Sequence, residues 1–369
     1  MKNSHSPRAG TVGLAIVEKI AYKPLMIETV KETTRQFINT PLAIGNREIP
    51  TRLILAPMSG LTHVAFRELV DRYGGCGLLA TEMCSAKALP IENRHVSNVF
   101  RWRDAEASRL ACQIFGSDPE TMVQAARRVE AEGFFCVDLN FGCSVAPICK
   151  KNCGAALLRT PDLAVKMVHD IRQAVSIPVT GKFRTGWEDR IEPAADLARR
   201  FEDAGADALT FHPRVAPDRR SRPPKWEYIR MIKQAVSIPV FGNGEVFTLD
   251  DCEKMFETTG CDGIALGRIA IAKPWLFAHW TGGLTPDPNI YRESLLQMMA
   301  LMSEHFAPPT GIRKFKKLAL YPAALFKFGH SFFTRMFRAA DFTEMAHVIN
   351  AFFDTSPEAA SRPNLNLFR

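Results

Sequence analysis

The chain has 369 residues, 46% of them hydrophobic, which is enough for a sizeable core and long for one ordinary domain. No apolar run reaches the roughly 18 residues that span a bilayer. Glu18 and Lys19 cut short the apolar stretch from Gly13 to Val17 before it makes an export signal, and nine scattered cysteines without such a signal fit a reducing cytoplasm.

A formal charge of +8 and a pI of about 9.1 favour a polyanionic partner, although a basic soluble protein without one fits the charge equally well. Residues 1–40 read as an N-terminal extension, flexible or weakly helical. Pro41, Gly45 and Asn46 mark a short hairpin within residues 39–52, placed to close the bottom of a barrel. Eight short apolar runs follow, at Leu53–Met58, Leu78–Glu82, Leu110–Phe115, Cys136–Asn140, Pro178–Arg184, Ala208–His212, Pro239–Gly244 and Gly263–Gly267. Amphipathic stretches such as Pro119–Glu132, Asp162–Ala174, Ala194–Ala204 and Leu249–Thr258 separate them. Strands alternating with helices imply a parallel sheet covered by helices, and eight such units predict a TIM (β/α)8 barrel over residues 41–283. A doubly wound sheet is the alternative, but no Gly-x-Gly-x-x-Gly opens a helix after the first strand. Ile171 to Val179 recurs almost unchanged as Ile232 to Val240, each copy a helix end, a turn and a strand start. Gly282 to Pro288 reads as a linker, residues 290–355 as a small α-helical bundle, and residues 356–369 as a tail.

Chemistry in such a barrel sits at the C-terminal ends of the strands. Those ends carry Ala56-Pro57-Met58, Glu82, Gln113, Asn140 with Cys143, Lys182 with Arg184, His212, Asn243-Gly244 and Gly267-Arg268. So many polar groups in one mouth are costly unless they meet one another or a ligand. The loops after strands seven and eight are the fold's usual phosphate site, so the glycines there and the Arg268 fork point to a phosphorylated ligand. Lys182 is placed to stabilise negative charge on a ring such as a reduced flavin. Cys143, after the apolar run from Phe134 to Leu139, is a thiol at a strand tip that can donate a proton, attack, or bind metal.

These motifs resemble the dihydrouridine synthase family, FMN enzymes that reduce uridine in RNA. The resemblance rests on Ala56 to Thr62, Thr81-Glu82-Met83, Gln113 to Gly116, Asp138 to Cys143, Gly154 to Leu158, Lys182 to Gly186, Asn243-Gly244-Glu245 and Gly267-Arg268, in family order. It implies FMN over the barrel mouth, with Pro57, Met58, Gln113, Lys182 and His212 about its ring, Asn243, Gly244, Gly267 and Arg268 holding its phosphate, and Glu245 also among the cofactor-binding residues. It further implies NADPH as reductant, Asn140, Arg184 and Glu82 toward a flipped uracil, Cys143 as the acid that protonates C5, and no metal. The chain departs from the family at Ser144, where proline is usual, and at Pro213, where a small residue is usual. Cys149 and Cys153 complete a Cys-x5-Cys-x3-Cys spacing that matches no common ligand set and reads as buried thiols.

Two basic stretches suit tRNA as the partner. Arg219, Arg220, Arg222 and Lys225 crowd the segment after strand six. From Arg313 to Arg338 there are seven Lys or Arg and no Asp or Glu, and Arg313, Lys314 and Lys317 are assigned to RNA. The interleaved Phe315, Phe326, Phe328, Phe332, Phe333 and Phe337 are expected mainly in the bundle core. A monomeric cytoplasmic enzyme, not bound to membrane, is the resulting expectation. An FMN barrel acting on a small molecule, an rRNA target and a non-catalytic RNA-binding relative are the competing readings.

Overall fold

The computed structural model describes residues 32–217 and 222–368, so Arg219 and Arg220 lie outside the described residues, as do residues 1–31 of the N-terminal extension. Eight parallel strands form a ring: β1 (Leu53–Leu55), β2 (Leu79–Ala80), β3 (Leu110–Phe115), β4 (Cys136–Phe141), β5 (Val179–Gly186), β6 (Ala208–Val215), β7 (Val240–Gly242) and β8 (Gly263–Leu266). Each pairs with its sequence neighbour, β8 pairs back onto β1, and a bridge between Ile54 and Leu78 closes β1 against β2. This is the expected TIM-type barrel. The hairpin Leu42–Ile44/Arg47–Ile49 plugs its bottom, burying Ile44 and Ile49 against the inward-facing Ala80, Ala111, Ala208 and Ala265.

The sequence repeat has a structural cause. In the first copy, Glu130 accepts from the Ser176 and Ile177 amides, and Asp207 accepts from the Val179 amide while pairing with Arg172. In the second, Glu202 accepts from the Ser237 and Ile238 amides, and Asp262 accepts from the Val240 amide while pairing with Lys233. Each unit borrows carboxylates from its neighbours to satisfy the amides that a turn leaves unpaired. The two copies thus meet the same pair of acceptors, a Glu and an Asp, at the same two points, a helix end and the strand start that follows it.

Three details differ from the sequence reading. Only Leu79–Ala80 joins the ring in the second run; Thr81 and Glu82 leave it, and Cys84–Ser85 pairs separately with β3. β6 continues through Pro213 to Val215, alongside an extended and irregular β5, so Arg214 is strand, not loop. Glu32–Ile38 forms a helix whose Ile38 is fully buried.

Four helices follow the barrel, at Ile290–His305, Pro308–Ala323, Gly329–Arg338 and Phe342–Phe353. The first packs on the barrel helix Val64–Tyr73, where His305 Nε2 lies 2.6 Å from Glu68, and the second packs on the helix Arg268–Ala272 that follows β8. That second contact turns Pro308–Ala323 across the barrel mouth. Among the described residues no helix is long and apolar enough to cross a membrane.

Candidate active site

The strand register brings the mouth together. Asn140 lies beside Lys182 on the β4–β5 pair, and Arg184 beside His212 on the β5–β6 pair. A cavity of about 160 Å³ opens between the ends of β1, β5, β6, β7 and β8. Its walls include Pro57, Met58, Lys182, His212, Asn243, Gly244, Glu245, Gly267 and Arg268. Nine of the ten residues assigned from sequence to the cofactor thus meet around one space. Gln113 does not line it.

Gln113 is instead committed to a buried chain of amides. Its Nε2 donates to Asp138 at 2.6 Å and its Oε1 accepts from Asn140 Nδ2 at 2.8 Å. Thr180 donates to the other Asp138 oxygen at 2.8 Å. Burial pushes the Asp138 carboxyl above its usual range, against the pull of these two donors and of Lys182. Asp138 and Thr180 were missed as supporting residues because they face inward one layer below the strand tips.

Asn140 bends the chain that carries the thiol. Its Oδ1 accepts from the Gly142 and Cys143 amides at 3.1 and 2.9 Å, the local turn that asparagine favours. Behind Cys143 sits Gly154, at φ +63°, where a Cβ would lie 2.5 Å from the Cys143 carbonyl oxygen. Glycine is required there on both counts. Cys149 donates its thiol hydrogen to the same carbonyl at 3.5 Å, and Cys153 is buried. Burial raises the pKa of both thiols. Cys143, Cys149 and Cys153 do not converge as metal ligands; among the described residues the one cluster that could is Glu68, Glu304 and His305, and Glu68 is already held by Arg72 and His305.

The cavity is electrostatically polarised. Enclosure in the mouth lowers the Lys182 pKa to about 8, with the Arg184 charge adding to the effect and Asp138 opposing it. His212 is driven well below its ordinary value by burial and then by Lys182, Arg184, Arg214 and Arg268, so its imidazole is neutral at pH 7. At the far end, Gly244 has φ +126° and carries no side chain against His212 and Pro224, while Trp226 Nε1 donates to its carbonyl at 2.9 Å. Glu245 faces the cavity, but its carboxylate is ion-paired with the buried Arg214. Asn243 donates to the Ala265 carbonyl at 2.6 Å, tying β7 to β8, and Arg184 donates to the Val215 carbonyl at 3.2 Å.

The RNA-side residues divide. Arg313 and Lys317 are exposed, and Lys317 donates to the Ser59 carbonyl at 2.7 Å. Lys314 corrects the expectation of a basic outer surface. It is only 9% exposed and reaches into the barrel mouth, with Nζ 3.4 Å from the buried Glu82 carboxylate. The helix that crosses the mouth delivers it there, on the buried stripe of Gly311, Phe315, Leu318 and Pro322, and that helical spacing is the sequence signal that sets it apart from Arg313, Lys316 and Lys317. The aromatic expectation is also only partly met. Phe315, Phe326 and Phe332 are core, whereas Phe328 and Phe337 are exposed.

Comparison with known proteins places this geometry in a family. The model for dihydrouridine synthase (Dus) matches residues 54–344. A probable tRNA-dihydrouridine synthase of Rickettsia conorii is 34% identical over 265 residues, 72% of this chain and 80% of that protein. tRNA-dihydrouridine synthase B of Pseudomonas putida is 33% identical over 317 residues, 84% of this chain and 94% of that one. Among solved structures, 6-hydroxypseudooxynicotine amine oxidase from Pseudomonas geniculata superposes with a TM-score of 0.55 at 15% identity, over 74% of this chain and 53% of that one. At that identity the likeness shows the barrel fold alone, and this chain spans about half the length of that structure. The sequence relatives carry more: the chain belongs to the dihydrouridine synthase family of flavin-dependent oxidoreductases.

Proposed function

We propose that the protein reduces the 5,6 double bond of uridine in tRNA to dihydrouridine, with FMN as cofactor and NADPH as reductant. The observation that carries the reading is the convergence of nine cofactor-assigned residues on one cavity, with Cys143 held by Asn140 on the strand next to Lys182. The residues present fit FMN. Gly244 and Gly267 leave backbone open at one end, Arg268 adds a guanidinium there, and Lys182 and Met58 stand on the other walls. Bound there, FMN supplies the hydride for uracil C6.

The protein's residues do the rest. Lys182, protonated at pH 7, offers positive charge in an enclosed site, where it counts for more than in water. Neutral His212 adds no second charge beside it. Asn140 acts as a positioning residue, since its oxygen fixes the Cys143 amide and its nitrogen is bound to Gln113. Cys143 Sγ gives its proton to C5. Glu82, buried in the mouth and held by Lys314, and Arg184 are the residues assigned to the base, and the exposed Arg313 and Lys317 those assigned to the phosphates. Reaching an enclosed cavity requires the uridine to leave its stack.

The test is direct. Flavin-loaded protein, NADPH and an unmodified tRNA transcript should yield dihydrouridine by nucleoside mass spectrometry. Cys143→Ala should still bleach with NADPH yet form almost none. A wild-type protein that oxidises NADPH but leaves every transcript unreduced would overturn the substrate assignment, and full activity in Cys143→Ala would overturn the proton donor.

A further inference from the structure

Two large rings stand in solvent on the helical bundle. Phe328 is 75% exposed and Phe337 is 60% exposed. On Gly329–Arg338 the core stripe is Phe332 and Met336, and Phe332 stacks on Phe352 at 4.5 Å. Phe333 and Phe337, four residues apart, form the next stripe outward, with ring centroids 6.1 Å apart. The bundle core is complete without Phe337.

Cations accompany both exposed rings. Lys316 Nζ lies 5.5 Å from the Phe337 centroid, and Lys327 Nζ lies 5.6 Å from that of Phe328. No carboxylate occurs between Arg313 and Arg338. The first ones beyond, Asp341 and Glu344, are used locally: Asp341 accepts from the Glu344 amide at 2.9 Å, and Glu344 from the Ala340 amide at 2.7 Å. Phe328 also holds a left-handed backbone at φ +63°, a conformation unfavourable for a bulky residue.

Position relates this patch to the cavity. Lys316 belongs to the same helical turn as Lys314, which enters the mouth at Glu82, and Lys317, which holds the Ser59 carbonyl after β1. Arg313, Lys316 and Lys317 share one face of that helix by their spacing of three and four residues. A basic strip therefore runs from the mouth to the Phe337 ring.

We propose that Phe337, flanked by Lys316, is a stacking platform for an unpaired base of the RNA substrate, gripping a nucleotide outside the catalytic cavity. A flat ring beside a cation matches a base with its phosphate, and stacking tolerates any base because each has a π face. A membrane surface suits the charge but not the shape. The continuous apolar face such binding needs is turned into the bundle core, which leaves isolated rings. The platform rests on the RNA reading given above.

Affinity for an unmodified tRNA transcript, measured by filter binding against salt on protein of matched flavin content, tests it. Phe337→Ala should weaken binding by about five- to 150-fold, the range for loss of one stacked base, with the salt slope unchanged. Phe337→Trp should bind at least as tightly as wild type, and Phe337→Leu should resemble Ala, since bulk without a π face does not stack. Lys316→Gln should instead flatten the salt dependence by about one unit. Wild-type binding with an equally tight Phe337→Ala overturns the platform and leaves the catalytic reading intact. Wild type that binds no tRNA overturns both. Phe337-dependent attachment to phosphatidylglycerol vesicles, with tRNA affinity unaffected, also overturns the platform.

Discussion

Replacing Lys182 with methionine should make the flavin-free protein more stable and the enzyme worse. The mouth lowers the Lys182 pKa from 10.5 to about 8, so at pH 7 the ammonium is charged where the fold disfavours it. A shift of that size corresponds to about 3 kcal/mol. The gain should be smaller, about 1–3 kcal/mol, because Lys182 meets the cavity solvent and because Asp138 loses the cation that favours its ionised form. The pH dependence follows from the lowered value. The cost is full below pH 8, declines as pH rises from 8 to 10.5, and is absent above. Urea denaturation of both flavin-free proteins at pH 7 and pH 10 should show the difference at pH 7 and its shrinkage at pH 10. With flavin bound, Lys182→Met should lose rate, since the charge is then missing where it is used. If the variant is no more stable at pH 7, or its advantage grows with pH, the reasoning about Lys182 fails.

Gly154→Ala places a methyl 2.5 Å from the Cys143 carbonyl in a left-handed backbone, so dihydrouridine formation should fall by more than tenfold while absorbance at 450 nm shows flavin retained. Gly244→Ala crowds His212 and Pro224 at φ +126°, and dialysis should strip flavin from it faster than from wild type. Glu82→Gln leaves Lys314 buried without its counter-charge. It should cost about 3 kcal/mol in denaturant melts, and Lys314→Met in the same chain should recover most of that.

The alternation of apolar and amphipathic runs identified the barrel because a parallel strand covered by helices must be apolar on both faces, and that pattern survives in a single sequence. Strand-end residues followed from it, since the fold confines chemistry to one face. For the same reason Pro57, Met58, Lys182, His212, Asn243, Gly244, Gly267 and Arg268 could be gathered before their cavity was seen. Motif order then supplied the family. What local pattern does not encode is where a side chain goes once distant elements pack. Gln113 sits at a strand end like Lys182, yet it turns to Asp138 and Asn140 because they occupy the neighbouring strand at the right height. Gly154 looks like any loop glycine until its contact with Cys143 is seen. Lys314 and Lys316 are two residues apart in one basic run. One closes on Glu82 inside the mouth and the other flanks an exposed ring, because a helix crossing the barrel turns adjacent residues to opposite surroundings. The sequence by itself determined the barrel, and with it which strand-end residues share one face, the Cys143 thiol among them. Only the tertiary structure decided how that thiol is held and that Lys314 closes on Glu82 in the mouth, since both depend on segments that meet from far apart in the chain.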